Sequence, residues 1–171
     1  SNSGIADYGH SLIEDFNGNL AFAGRSGANS ALGRINPTLA NQQTISLNTG
    51  VSTIANGIEI HPTNNEYVVV GQGWSSAGNW DGVIYRLDQS GGLISTQIFD
   101  YGLGGDEVFH SIARYSGGYV VTGYTSSVGA GQRDVLFVML DNSATVVGAV
   151  VYGGTQNDQG TGIIPTSDGG F

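Results

Sequence analysis

Cysteine and lysine are both absent from the 171-residue chain, proline occurs three times and methionine once. Without cysteine there is no disulfide framework, no thiolate zinc site and no cysteine nucleophile. All five basic residues are arginine, set against 14 carboxylates, so the formal net charge is -9. A chain so acidic repels phosphate backbones and anionic headgroups, which argues against nucleic-acid partners and membrane surfaces. Charged residues amount to only 11%, far under the usual level of about a quarter. No apolar run approaches the roughly 18 residues of a membrane span, so membrane insertion is not expected. The opening Ser1-Asn2-Ser3-Gly4 has neither the basic end nor the apolar stretch of a signal peptide. No segment keeps a helical period over ten residues.

Glycine is abundant instead, with 29 residues that follow no three-residue period, which excludes a collagen-like chain. The lysine-free, acidic, Ser/Thr/Asn/Gly-rich composition points to an extracellular, cell-surface or periplasmic setting.

The chain repeats itself at about 50 residues. One unit reads Tyr101-Gly-Leu-Gly-Gly-Asp-Glu107, then Gly117-Gly-Tyr-Val-Val-Thr-Gly-Tyr-Thr-Ser126, then Asp134-Val-Leu-Phe-Val-Met-Leu-Asp141. Its opening returns as Tyr152-Gly-Gly-Thr-Gln-Asn-Asp158. An earlier copy holds Glu66-Tyr-Val-Val-Val-Gly71 and Asp81-Gly-Val-Ile-Tyr-Arg-Leu-Asp88. In the first copy Asp7, Gly9, Ile13 and Gly18 match Asp158, Gly160, Ile164 and Gly169.

Each unit contains four short apolar, β-branched runs bounded by turn residues. First strands are expected at Ser11–Glu14, Ile58–His61, Ser111–Arg114 and Gly162–Pro165, and second strands at Leu20–Gly24, Tyr67–Gly71 and Tyr119–Gly123. Third strands fall at Leu32–Ile35, Val83–Leu87 and Val135–Leu140, fourth strands at Thr44–Leu47, Leu93–Phe99 and Val146–Tyr152. Four antiparallel strands per unit is the arithmetic of a β-propeller blade. Runs such as Tyr67-Val-Val-Val are apolar on both faces, as stacked blades require. The expected fold is therefore an all-β propeller with blades at about 1–48, 49–100 and 101–151 and the start of a fourth at 152–171. Propellers close with four or more blades, and both ends of this chain supply the same first strand. Either the chain is a piece of a longer protein, the preferred reading, or copies assemble into a ring.

These motifs resemble the bacterial SBBP β-propeller repeats. The likeness is strongest over 101–171, weaker over 50–100 and weakest over 1–48. Where such repeats place a basic residue before Leu-Asp, this chain has Arg34, Arg86 and Met139, so one copy departs. The resemblance implies a secreted or surface propeller and transfers no catalytic residue.

His10-Ser11 and His110-Ser111 each follow an acidic residue, Asp7 and Glu107, but adjacent residues of a strand point to opposite faces. A Ser-His-acid relay is therefore not expected, and the chain reads as not an enzyme. His10 and His110 share a blade position and are expected to face a central channel together, with His61 elsewhere. Asp7, Asp106, Glu107 and Asp158 lie near the same inner loops and are the candidates for a calcium ion, although no Asp-x-Asp-x-Asp-Gly loop is present. No other cofactor is expected. Asp81 and Asp134 open the third strand and Asp88 and Asp141 close it, positions where carboxylates satisfy turn N–H groups. Gly24, Gly71 and Gly123 mark a tight bend or a close approach between blades. Trp74, Trp80, Tyr85 and Tyr124 are the candidate ligand aromatics, with Trp74 and Trp80 flanking the polar loop 75–79. The leading functional reading is a non-enzymatic extracellular scaffold that presents loops to a protein or surface partner. The alternatives are a carbohydrate-binding module using Trp74 and Trp80, and the non-catalytic portion of a larger secreted enzyme.

Overall fold

In the computed structural model of the chain, residues 7–38, 42–47 and 50–171 are described, and Ser1-Asn2-Ser3-Gly4 lies outside them. Among the described residues there are twelve strands and no helix. They are β1 (Asp7–Glu14), β2 (Leu20–Ser26), β3 (Asn29–Ile35), β4 (Gln42–Leu47), β5 (Thr53–Ile60) and β6 (Tyr67–Trp74). The series continues with β7 (Trp80–Leu87), β8 (Leu93–Phe99), β9 (Glu107–Tyr115), β10 (Gly118–Thr125), β11 (Asp134–Leu140) and β12 (Val146–Tyr152). Sequential antiparallel pairing sorts them into three four-stranded sheets, β1–β4, β5–β8 and β9–β12, here called blades 1, 2 and 3. The fold is that of a partial β-propeller.

The sheets stack face to face. First strands of successive blades lie against one another, β1 with β5 and β5 with β9, and β9 also packs on β6 and β7. Period-two alternation makes this possible in blade 2. Tyr67 and Val69 of β6, with Tyr85 and Leu87 of β7, turn toward Ala21, Ala23 and Leu32 of blade 1. Val68, Val70 and Ile84 turn the other way, onto Phe109, Tyr119, Val121, Leu136 and Val138 of blade 3. A strand apolar on both faces is thus the signature of a sheet with a neighbour on each side. The small alanines of blade 1 leave room for the two tyrosines, so the interface fills by pairing small residues with large ones.

Each first strand carries one extra residue. The pairing register of β1 with β2 skips between Gly9 and Ser11, that of β5 with β6 between Ala55 and Gly57, and that of β9 with β10 between Phe109 and Ser111. The bulged residues are His10, Asn56 and His110, and a bulge of this kind kinks and twists its strand. It also brings a carbonyl close to the second strand. A methyl group at Gly24, Gly71 or Gly123 would fall 1.9 Å from the Tyr8 oxygen, 1.9 Å from the Ile54 oxygen and 1.8 Å from the Val108 oxygen, respectively. The close approach at these glycines therefore lies within each blade, against its own bulge, and not between blades as the sequence suggested.

The first strands extend four to five residues earlier than the apolar pattern suggested, because the bulge breaks the alternation at Asn56 and its equivalents. Gly162–Pro165 is not a strand. Residues 158–160 lie instead on blade 3, where the Asp158 amide donates to the Arg133 carbonyl (2.8 Å) and the Gly160 amide to the Gly123 carbonyl (2.9 Å).

Candidate functional site

A groove of about 530 Å³ opens on blade 2, lined by Val51, Trp74, Ser75, Ser76, Asp81 and Thr96, among others. Trp74 closes β6 and Trp80 opens β7, and the two are direct cross-strand partners. Their rings meet edge to face at 5.1 Å and 77°, a favourable geometry that fixes both orientations. Trp74 remains 44% exposed, so its ring forms a wall of the groove. The intervening loop closes on itself, with the Ser75 amide donating to the Asn79 carbonyl (2.9 Å). Asn79 is buried and donates to Asp81 Oδ1 (2.9 Å) and the Gly105 carbonyl (2.6 Å), which ties the groove to blade 3.

Behind the groove, at the seam between blades 2 and 3, three carboxylates converge. One oxygen from each of Asp81, Asp100 and Glu107 lies within 4.8 Å of the others. Asp81 comes from β7, Asp100 from the residue after β8, and Glu107 from the first position of β9. Burial pushes the Asp81 carboxyl up, with the neighbouring charges of Asp100 and Asp106 adding to the effect. Burial likewise pushes Glu107 up. Glu107 is fully buried; its Oε1 accepts a hydrogen bond from the Thr125 hydroxyl (2.8 Å), while Oε2 has no protein partner.

The other candidates named from sequence are dispersed. Tyr85 is buried between blades 1 and 2. Tyr124 is buried under the Arg133 guanidinium, 4.3 Å from its ring centre. Neither offers a face to a ligand. Asp106 accepts the Trp80 amide (2.9 Å), Asp7 begins the exposed β1, and Asp158 lies on blade 3 through its amide bond to Arg133, so of that quartet only Glu107 belongs to the acidic cluster. Asp88 and Asp141 accept turn amides, from Ser90 and Gly92 and from Ser143 and Thr145, respectively. Asp134 accepts the Gly131 amide (3.0 Å), but its Oδ1 is buried without a partner.

The histidines contact backbone carbonyls and a hydroxyl. His10 Nδ1 contacts the Ala55 carbonyl and His110 Nδ1 the Gly160 carbonyl, each at 2.8 Å on the next inner segment, while His61 contacts Thr63. Sequence reasoning passed over Asp100, because the matching position of the next unit is Val151 and the repeat logic hid it.

No family model and no curated protein matches the chain. Among solved structures, similarity extends to a chain described as bifunctional GH43-CE from Bacteroides eggerthii. The match has 15% identity and a TM-score of 0.48, and covers 88% of this chain but 20% of that one. The likeness is one of propeller-like fold alone and does not reach the SBBP repeat family. The expectation that the chain is not an enzyme does not stand beside a neighbour described as bifunctional, and a likeness at this level decides nothing about activity in either direction. No activity is transferred with it.

Proposed function

We propose that the chain is a recognition module of a secreted or surface protein, related to the SBBP repeats, and that its groove beside Trp74 binds carbohydrate. The observation that carries this reading is the exposed Trp74 ring, held edge-on by Trp80 over a groove with hydroxyl and carboxylate groups along its wall. A flat aromatic face stacks on the apolar C–H face of a sugar ring, and oriented polar groups then select among its hydroxyls. Ser75, Ser76, Thr96 and Asp81 supply those groups. The lysine-free, acidic composition supports an extracellular or periplasmic setting. It also fits a neutral polysaccharide better than a sulfated or phosphorylated one, since anionic sugars would meet a net charge of -9.

An array of neutral and acidic oligosaccharides, followed by titration calorimetry on the best binder, tests the reading. Trp74→Ala is expected to weaken binding at least tenfold, about 1.4 kcal/mol, and Trp80→Ala to weaken it less by freeing the Trp74 ring. An array with no binder, or a Trp74→Ala protein that binds as tightly as the parent, would overturn it.

A further inference from the structure

We infer that the seam between blades 2 and 3 is a binding site for a hard divalent cation, with calcium the best match, held by Asp81, Asp100 and Glu107. Three carboxylates converge there within 4.8 Å. Among the described residues the ion pairs are Arg34–Asp15 and Arg86–Glu66, so no arginine neutralises the cluster. Clustered acids alone would be unremarkable on the surface of an acidic protein. Glu107 makes the difference: it is fully buried and its Oε2 has no partner at hydrogen-bond geometry, the Ser127 hydroxyl and the Tyr101 amide acting on the carboxylate only from nearby. A buried carboxylate oxygen without a donor is costly unless something supplies positive charge to it.

The dimensions suit one ion. Oxygens bound to calcium lie at about 2.3–2.6 Å from it, so ligands on opposite sides stand about 4.6–5.2 Å apart and all others closer. Each carboxylate is also oriented by the protein. Asp81 Oδ1 accepts from Asn79, Asp100 Oδ1 from the Gly102 amide and Glu107 Oε1 from Thr125. Asp100 is exposed, which leaves a side from which water can complete the six to eight oxygen ligands calcium takes. The set contains neither histidine nor cysteine, which disfavours zinc and copper.

A related arrangement recurs one blade on. Asp134 and Asp158 stand where Asp81 and Glu107 stand, and a methyl on Gly153 would fall 2.1 Å from Asp134 Oδ1 and 3.0 Å from Asp158 Oδ2. There too a buried oxygen, Asp134 Oδ1, has no partner. The ion would bridge two blades and so act as a clasp between them. This assignment shares Asp81 with the carbohydrate groove but does not rest on that reading, and it is tested without sugar.

Thermal unfolding of the full chain in EDTA and in CaCl2 tests it. Calcium at a hundredfold excess over Kd is expected to raise Tm by about 5–10 °C. Glu107→Gln keeps the shape and removes the charge, so it is expected to unfold no lower than the parent in EDTA while losing most of the calcium-dependent gain. Asp100→Asn, at an exposed position, carries the same test should the Glu107 variant fail to fold. Terbium emission excited through Trp80, which adjoins Asp81, gives a second readout and is expected to be displaced by calcium. A parent Tm indifferent to calcium, or an equal gain in parent and both variants, would overturn the assignment.

Discussion

Asp15 illustrates how much one side chain can hold. It sits in the turn after β1 and is buried; its Oδ1 accepts the amides of Asn17 and Asn19, each at 2.9 Å. Its Oδ2 accepts Arg34 Nη2 (3.2 Å) and the hydroxyl of Tyr67 (3.0 Å), which belongs to the next blade. Burial works to raise its pKa, yet the hydrogen bonds from Asn19, Asn17 and Tyr67 together outweigh it and hold the carboxyl below its ordinary value. The same environment, burial first and then the bond to Asp15, pushes Tyr67 up to about 12. A carboxyl lowered by folding contributes stability above its unfolded pKa, and that contribution drains away as pH falls through the folded value. Asp15→Asn is therefore expected to cost about 2 kcal/mol at neutral pH. The cost should shrink between about pH 5 and pH 1, as a pH series of urea melts of parent and variant would reveal. A cost independent of pH would mean the charge of Asp15 contributes nothing.

At the scale of the element, the bulge of each first strand works as a latch. Its extra residue reaches the carbonyl that precedes the equivalent bulge position of the following unit: His10 to Ala55, Asn56 to Phe109 and His110 to Gly160, all at 2.8 Å. Two residue types thus serve one role, which explains why histidine recurs here without catalytic company. Asn56→Ala leaves the Phe109 carbonyl without its donor at a blade seam and is expected to destabilise by about 1–2 kcal/mol. Asn56→His is expected to retain most of that stability, because histidine already does this work in blades 1 and 3. Equal losses for the two variants in urea melts would remove the latch. The repeat made the blades and most second, third and fourth strands legible, since stacking on both faces demands unbroken apolar runs such as 67–70. It did not reveal the latch, and it singled out the three glycines without showing that what they approach is the bulge of their own blade. A bulge adds a residue without adding a composition signal, and Asn56 reads as an ordinary polar residue until its partner in the next blade is seen. The acidic seam was half legible: Glu107 was among the inner-loop carboxylates read as calcium candidates, whereas Asp81 looked like a turn carboxylate and Asp100 has no counterpart in the next unit.

For the molecule as a whole, stacking makes stability uneven, because each blade depends on its neighbours. β6 is covered on one side by blade 1 and on the other by blade 3, and β10 is buried along its length between blade 2 and the segment that follows blade 3. β1 is different: it is an edge strand of blade 1, most of its residues are exposed, and Tyr8 and Leu12 are 56% and 58% accessible. Local opening should therefore be cheapest in blade 1 and dearest in β6 and β10. Hydrogen exchange of the 17.7 kDa chain is expected to release β1 amides fastest and those of β6 and β10 last. Light scattering at two concentrations belongs beside that experiment, because a second copy seated on blade 1 would cover Tyr8 and Leu12. If β1 exchanges as slowly as β6 only at the concentration where the mass doubles, the open face is a self-association surface. If β1 exchanges as slowly as β6 while the mass stays that of one chain, the view of blade 1 as the weak end of the stack is wrong.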